Sequence, residues 1–317
     1  MAHTMTPGLS ALLHAAALLD LSARGRIRIT GEDRARLLHA MTTNHIQQMK
    51  PGEGVYAFFL NAQGRILADA YILCFEDHFL LDTEPHTREP LFQHLDKFII
   101  ADDVTLEDVT ADTFCLGLEG PRSSEVAQAA ALPGPHHRYS HIDWGGASVA
   151  AIAMTGPHGI RIYGALARCN DVSQTLEGAG AIAASMEDAE AARIHNFRPR
   201  YGHDVTDGSL PQETQQMHAL HFQKGCYLGQ EIVERIRSRG HVNKTLMGFR
   251  LEGDALPAAG ASLFAGGKEA GEVTSAVLAA EEGKVFGLAL VRVPYNKPGG
   301  IVGIDGRPAE LTVPDSC

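Results

Sequence analysis

The chain has 317 residues, which is long for a single hydrophobic core, so two or three domains are expected. Hydrophobic residues make up 44% of it and charged residues 21%, a balance typical of soluble globular proteins. The net charge of −11 argues against a dedicated nucleic-acid-binding surface, and we expect no nucleic-acid partner.

The first hundred residues alternate between strand and helix patterns. Residues 26–30 alternate polar and apolar side chains with a period of two, which predicts a strand. Thr30 and Asp33 have the spacing of a capping box in front of a helical pattern. Residues 55–60 and 66–73 are β-rich runs separated by a short turn that contains glycine, which predicts a hairpin. This region is therefore expected to combine antiparallel strands with packed helices.

A second mixed region runs from about residue 113 to residue 197. Its predicted helices include residues 124–131 and a helix that begins at a capping box formed by Ser185 and Asp188. Beyond a boundary near residues 242–244, short β-prone runs alternate with Gly, Pro and Asn turns, and helical periodicity is nearly absent. This texture predicts a small closed or sandwiched β domain of about 70 residues.

The cysteines argue for a reducing environment. They lie far apart, include no C-x-x-C pair and are five in number: Cys74, Cys115, Cys169, Cys226 and Cys317. This usage argues against a disulfide framework and against a cysteine-rich zinc or cluster site, and a cytoplasmic location is expected. The apolar stretch 11–21 is too short and too often interrupted to span a membrane, so we expect no membrane partner.

The segment from residue 224 to residue 231 is the most informative in the chain. Its residues are Lys224, Gly225, Cys226, Tyr227, Leu228, Gly229, Gln230 and Glu231. An amphipathic run ending at Gly240 follows, so the thiol of Cys226 precedes a predicted helix. A neighbouring lysine and a helix N-terminus both favour a thiolate, whereas Glu231 opposes it. The alternative is a buried, inert cysteine in a glycine-rich turn.

Histidines near this segment invite a metal-site interpretation. His218 and His221 are three residues apart, could share a helix face and lie close to Cys226 in sequence. Three such residues across an irregular segment make a weak ligand pattern, however, and we expect no dedicated metal site.

The octapeptide matches all seven specified positions of the pattern K-G-C-[YF]-x-G-Q-E. In this it resembles the YgfZ-type folate-binding proteins, which are related to the aminomethyltransferase T-protein of the glycine cleavage system and to a mitochondrial iron–sulfur assembly factor. The resemblance covers most of the chain and is strongest over residues 193–248. It implies an α+β fold in which two interleaved antiparallel α/β domains and a small C-terminal antiparallel β-barrel form a clover leaf around a central folate pocket.

Approximate domain limits follow from the resemblance and the pattern together. Residues 1–112 are expected to form an N-terminal α+β folate-binding region. Residues 113–244 are expected to form a second α+β region that carries the cysteine motif and is interleaved with the first. Residues 245–317 are expected to form the barrel.

The resemblance also suggests which residues contact folate. Pro211-Gln212-Glu213 resembles a P-x-E motif whose glutamate hydrogen-bonds the pterin ring in related folate enzymes. A carboxylate can accept two parallel bonds from a 2-aminopyrimidinone edge, so Glu213 is the predicted pterin contact. The alternative is a surface carboxylate that caps the next helix. Many relatives have asparagine where this chain has Gln216. The other predicted folate contacts are Gln212, Asp69, Arg65, Tyr201 and Arg235, the last as a partner for a folate carboxylate.

One departure from the related transferases bears on activity. Folate-dependent aminomethyltransferases carry an acidic pair after a glycine turn, and the first acid of the pair is mechanistically important. The resemblance aligns Ala68 with the first acid and Asp69 with the second, so the acid needed for aminomethyl transfer would be missing. A slip of one residue in this register would reverse the conclusion. The alternative for Asp69 is a polar residue on the solvent side of a strand.

The resemblance implies a tetrahydrofolate-binding accessory factor for the assembly or repair of iron–sulfur proteins, with tetrahydrofolate or a derivative as its cofactor. Cys226 would be the reactive thiol, and Lys224 would favour its thiolate. The motif residues that would shape and hold the loop are Gly225, Tyr227, Gly229, Gln230 and Glu231. Expected partners are folate and iron–sulfur client proteins, and the chain is expected to be a monomer.

Two alternative functions stay open. The first is a folate-dependent aminomethyl or one-carbon transferase, which Ala68 disfavours. The second is a thiol-reactive scaffold protein without folate dependence. Binding of tetrahydrofolate separates the second alternative from the other functions, and turnover of a one-carbon donor separates the first.

Overall fold

The computed structural model describes residues 2–3, 5–279 and 281–315, so Cys317 lies outside the described residues. The strands are β1 (Ala2–His3), β2 (Ala17–Asp20), β3 (Gly25–Thr30), β4 (Gly54–Leu60), β5 (Ile66–Cys74), β6 (Phe79–Thr83), β7 (Thr105–Asp108), β8 (Thr113–Glu119), β9 (His141–Trp144), β10 (Ala147–Ala150), β11 (Gly159–Ala165), β12 (Ile182–Ala184), β13 (Lys244–Glu252), β14 (Ser262–Ala265), β15 (Lys268–Ala279), β16 (Lys284–Arg292), β17 (Ile301–Ile304) and β18 (Arg307–Thr312). The helices are α1 (Pro7–His14), α2 (Arg34–Met41), α3 (Arg88–Asp96), α4 (Ser123–Ala129), α5 (Cys169–Gly178), α6 (Met186–His195) and α7 (Gln230–Arg239). Short 3₁₀ turns include Pro211–Thr214 and Met217–Ala219.

A five-stranded antiparallel sheet has the order β4-β5-β6-β3-β7. The predicted strand at residues 26–30 and the predicted hairpin are confirmed as β3 and as the β4–β5 pair. The predicted capping box of Thr30 and Asp33 is wrong. Asp33 is itself the N-cap residue of α2, and its carboxylate accepts the backbone N–H of Asp103 instead of capping the helix.

A six-stranded sheet has the order β12-β2-β8-β11-β10-β9, in which only the β12–β2 pair is parallel. Strand β2 precedes the five-stranded sheet in the chain, and the other five strands follow it, so the two sheets are interleaved in sequence as the resemblance implied. The capping box of Ser185 and Asp188 is confirmed at the start of α6.

The C-terminal strands form a closed six-stranded antiparallel barrel, which confirms the predicted architecture. The order β15-β14-β17-β18-β13-β16 closes on itself through the β15–β16 pair, and β1 adds to β15 in parallel. The strand β1 therefore joins the barrel although it lies in the first predicted domain range, and the three ranges stay a prediction. Among the described residues, no helix is both long and apolar enough to cross a bilayer.

Buried ion pairs connect the three sheets. Asp82 on β6 accepts hydrogen bonds from Arg161 Nη1 at 2.5 Å and from Tyr163 Oη at 2.6 Å, both on β11. Asp204 accepts from Arg193 Nη1 on α6 at 2.6 Å. Its other oxygen accepts from the hydroxyls of residues 274 and 275 on the barrel strand β15. Because buried charges are costly unless they are paired, these contacts fix the sheets relative to one another.

The barrel supplies a packing test with a matched control. A Cβ added at Gly287 on β16 would lie 2.3 Å from Phe249 Cζ and 2.5 Å from Ser275 O, whereas a Cβ at Gly303 on β17 would come no closer than 3.6 Å to another atom. Gly287→Ala should therefore lower the free energy of unfolding by roughly 1–3 kcal/mol, the usual cost of overpacking. Gly303→Ala should change it far less. Equal denaturant midpoints for the two variants would contradict the described packing.

Candidate functional site

A cavity lies where the two sheets, the segment after α6 and the C-terminal residues meet. Its wall is polar and aromatic. The lining residues are Arg24, Tyr56, Asp69, Tyr71, Glu84, Arg138, Tyr139, Ala153, Met154, Arg161, Arg193, Arg198, Pro199, Arg200, Tyr201, Gln216, His218 and Asp315. A mostly buried site with aromatic walls and a few polar groups is typical of small-molecule binding.

Asp69 is one of the acidic residues that line this cavity, together with Glu84 and Asp315. Strand β5 alternates its faces, so Ala68 packs in the apolar core beneath the sheet while Asp69 lines the cavity. The interpretation of Asp69 as a solvent-facing residue is wrong, because the side chain is buried. The cavity therefore keeps a carboxylate even though the aligned first position is alanine.

The environment of Asp69 alters its acidity. Tyr56 Oη donates a hydrogen bond of 2.6 Å to Asp69 Oδ2, while Asp69 Oδ1 is buried and has no partner among the described residues. Burial, assisted by the charge of Glu84, raises the pKa of Asp69 to about 6. A carboxyl group that titrates near neutral pH inside a cavity can exchange protons with a bound ligand.

Other side chains complete the same wall. His218 stacks on Tyr56 with ring centroids 5.3 Å apart, and its buried Nδ1 has no partner among the described residues. Burial lowers the pKa of His218 to about 3, so the imidazole is neutral at physiological pH. Tyr201, one of the predicted folate contacts, lines the cavity and donates a 2.8 Å hydrogen bond to Leu67 O.

Among the residues that the structure describes, the P-x-E segment itself does not line the cavity, although Gln216, three residues beyond Glu213, does. Glu213 is buried, and its Oε2 accepts the backbone N–H of Leu210 at 2.9 Å, which closes its own 3₁₀ turn. Gln212 Nε2 donates to Val233 O at 2.9 Å. Within the described part of the chain, neither side chain lines the cavity, whereas Gln216 does. The interpretation of Glu213 as an exposed carboxylate is wrong, and its predicted pterin contact stays a prediction.

The two predicted arginine contacts lie outside the cavity wall as described. Arg65 is half exposed; its Nη1 donates to Gly208 O at 2.5 Å and lies 3.9 Å from Glu213 Oε2. Arg235 is exposed on α7. Both side chains are free of the buried network around the cavity, so a role for either in folate binding requires a ligand that extends beyond the wall.

Cys226 is exposed, so the interpretation of a buried thiol is wrong. Helix α7 starts at Gln230 with Gly229 as its N-cap, which places Cys226 three residues before the cap and outside the helix. Gly229 has a φ of +82°, and a Cβ there would lie 2.6 Å from Asn61 O. The side-chain amide of Gln230 accepts the backbone N–H of Tyr227 at 3.2 Å and so closes the loop. Glu231 is exposed in the first turn of α7.

Lys224 anchors this loop. Its buried Nζ donates to the carbonyl oxygens of His39 at 2.5 Å, Thr42 at 2.6 Å and Asn44 at 2.7 Å, around the C-terminal end of α2. Burial lowers the pKa of Lys224 to about 7. These three hydrogen bonds hold the loop against the end of α2, and the predicted activation of the Cys226 thiolate by Lys224 stays a prediction.

Sequence reasoning missed a group of imidazoles beside the loop. The rings of His39 and His45 lie 4.7 Å apart and those of His45 and His221 lie 5.2 Å apart. A Cβ on Gly225 would lie 3.4 Å from His39 Nε2, so the loop runs close to this group. Burial, with the nearby charge of Lys224, lowers the pKa of His39 to about 4. No set of three or more His, Cys, Asp or Glu side chains in the described ranges is arranged to hold a metal ion.

The fold and the cavity define a three-domain protein of the aminomethyltransferase architecture. Residues 3–224 match the family model of the GCVT N-terminal domain, and residues 244–315 match that of the glycine cleavage T-protein C-terminal barrel domain. The chain therefore belongs to the glycine cleavage T-protein family.

Similar proteins agree with this assignment. A putative chloroplastic transferase of Arabidopsis thaliana is 27% identical over 90% of this chain and 68% of its own. An aminomethyltransferase of Rubrobacter xylanophilus is 29% identical over 94% of this chain and 82% of its own. The crystal structure of glycine cleavage system aminomethyltransferase T from Bartonella henselae superposes with a TM-score of 0.86 at 19% identity, covering 98% of this chain and 88% of that one, and so has the same fold.

The raised pKa of Asp69 predicts a pH-dependent cost to stability. The folded protein keeps a proton on Asp69 up to pH about 6, whereas the unfolded chain loses it near 3.8, so stability from this group falls as the pH rises between those values. Asp69→Asn removes the charge and keeps an acceptor for Tyr56. The free energy of unfolding of the variant should exceed that of the wild type by about 1–3 kcal/mol at pH 7 and by much less at pH 4.

Denaturant unfolding at both pH values measures this difference. Glu187→Gln, an exposed change in the first turn of α6, serves as the control for a general charge effect. An Asp69→Asn variant that is no more stable than the wild type at pH 7, or that gains equally at pH 4, would contradict the described environment of the carboxyl.

Proposed function

We propose that this protein is a tetrahydrofolate-binding accessory factor, of the YgfZ type, for the assembly or repair of iron–sulfur proteins. The observation that carries the proposal is the exposed Cys226 on a loop anchored by the buried Lys224. A protein that only needs a folate pocket gains nothing from such a loop. The resemblance of the loop to the YgfZ-type motif supplies the client class, which is iron–sulfur proteins.

The cavity suits a folate ring system. A reduced pterin presents N–H donors and a carbonyl acceptor on a compact ring system that can pack against aromatic side chains. Asp69 Oδ1 and His218 Nδ1 are buried polar atoms without described partners, and the tyrosine rings at 56, 71 and 139 provide apolar surface. These residues, together with Gln216, would hold the pterin. When bound, tetrahydrofolate would supply a carrier for one-carbon units.

The thiol would act at a distance from that ring. Within the described residues, Cys226 is not part of the cavity wall. An exposed thiolate can attack a disulfide of a client protein, forming a mixed disulfide and releasing the other client sulfur as a thiolate, or it can ligate iron of a client, in either case without entering the cavity. The proposal therefore assigns folate to the cavity and the client to the loop.

A second function, a folate-dependent aminomethyl or one-carbon transferase, is favoured by one observation. Asp69 places a carboxyl with a pKa of about 6 in the cavity wall, where it can accept or donate a proton during transfer. Aminomethyltransferases also stand among the similar proteins. Turnover of an aminomethyl donor with tetrahydrofolate, lost in Asp69→Asn, would establish this function in place of an accessory role.

The folate half of the proposal predicts direct binding. Isothermal titration of the purified protein with tetrahydrofolate should give saturable binding. Asp69→Ala should weaken it roughly tenfold or more, because a buried acceptor for a ligand N–H is lost. Glu187→Gln, an exposed change on α6, should leave the affinity unchanged. A folded protein with no detectable binding would refute the folate half.

The thiol half of the proposal predicts that one cysteine is needed for activity in cells and another is not. Cys226→Ala should leave the unfolding midpoint unchanged, because the side chain is exposed, and should fail to restore iron–sulfur enzyme activity in a strain that lacks this protein. Cys169→Ala, a half-buried thiol on α5, should restore activity fully. Full restoration by Cys226→Ala would reject the role of the thiol.

A further inference from the structure

Arg161 lines the cavity, and only one of its three guanidinium nitrogens has a hydrogen-bond partner among the described residues. The side chain on β11 is fully buried, and its Nη1 donates to Asp82 Oδ2 at 2.5 Å. Its Nε and Nη2 are buried and have no hydrogen-bond partner among the described residues. Leaving the donors on two nitrogens of a buried charged group unpaired costs free energy, so this edge of the side chain would be stabilised by an acceptor.

Neighbouring arginines of the same wall are paired differently. Arg200 uses Nε and Nη2 on Glu84 and Nη1 on Glu190. Arg24 donates to Asp82 and also to Glu84. Asp82 thus serves two guanidiniums, and of these only Arg161 lacks a second carboxylate. Within the part of the chain that the structure describes, no carboxylate other than Asp82 forms an ion pair with Arg161.

The geometry of the unpaired edge selects the ligand chemistry. Nε and Nη2 carry parallel N–H donors that match the two oxygens of a carboxylate. The ring centroid of Tyr71 lies 4.9 Å from Arg161 Cζ, and a ring face attracts the cation without accepting its in-plane hydrogen bonds. Since Arg161 is wholly buried, its partner must be buried as well, which favours a compact anion over the exposed tail of a long ligand.

We propose that the Nε/Nη2 edge of Arg161 binds a small carboxylate of one to three carbons, separate from folate, in the central cavity. This inference goes beyond the folate site of the proposed function and does not depend on it. A carboxylate held in the same cavity as a one-carbon carrier would be a second substrate or an effector of the site.

Calorimetric titration with sodium formate and sodium acetate at constant ionic strength tests the proposal, with sodium chloride as the blank. The wild type should bind a carboxylate. Arg161→Lys keeps the charge near Asp82 but loses the paired donors, so it should bind roughly tenfold more weakly or worse, a factor that corresponds to about 1.4 kcal/mol. Arg200→Lys is the matched control, because its guanidinium is already fully paired, and its carboxylate affinity should stay near that of the wild type.

The proposal would be overturned if the wild type bound no carboxylate, or if Arg161→Lys bound it equally well. It would also be overturned if saturating tetrahydrofolate displaced acetate completely, because folate itself would then occupy the Nε/Nη2 edge. If Arg161→Lys fails to fold, the ¹⁵Nε–H resonance of Arg161 in the wild type should still move on addition of acetate, and an unmoved resonance overturns the proposal. Failure to bind tetrahydrofolate with intact acetate binding would refute only the proposed function.

Discussion

The paired charge of Asp82 is the constraint on which the rest of the structure depends. Burial alone would raise the pKa of this carboxyl, but Arg24 and Arg161 hold it at about 2, so it stays charged and bound to both cations. Because Arg161 belongs to the six-stranded sheet, this single carboxylate joins the two sheets that frame the cavity. A second carboxylate, Asp204, joins helix α6 to the barrel in the same way. Cavity shape therefore follows from ion pairing between elements far apart in sequence.

Different interactions hold the wall of the cavity and the loop that carries Cys226. The wall is held by buried ion pairs, and Asp69, His218 and Arg161 each keep a buried polar atom that has no partner among the described residues. The loop is held by a single ammonium group on three carbonyls, and its sulfur faces solvent. A rigid pocket is suited to a small ligand, whereas an exposed thiol on an anchored loop is suited to a macromolecular client.

Local patterns predicted the elements well, since strand alternation, the hairpin turn and the Ser185 capping box depend on neighbours in sequence. The closed barrel and the interleaved sheets followed from the family resemblance. The lining of the cavity was harder to predict, because strand pairing between distant segments decides which side chains of each strand point into it. Asp69 and Tyr201 were predicted as folate contacts and both line the cavity, whereas nothing in the local sequence around Arg161 marks it as a wall residue. Lys224 was assigned to the thiol because sequence adjacency does not reveal carbonyls 180 or more residues away.

The central claim is that folate and the thiol occupy separate sites on one chain. A crystal structure of the protein with tetrahydrofolate tests it most directly. We predict the pterin in the central cavity within hydrogen-bonding distance of Asp69, with Cys226 uncovered and its loop unchanged. A pterin bound against the Cys226 loop, or bound through Glu213 with the cavity empty, would contradict the account.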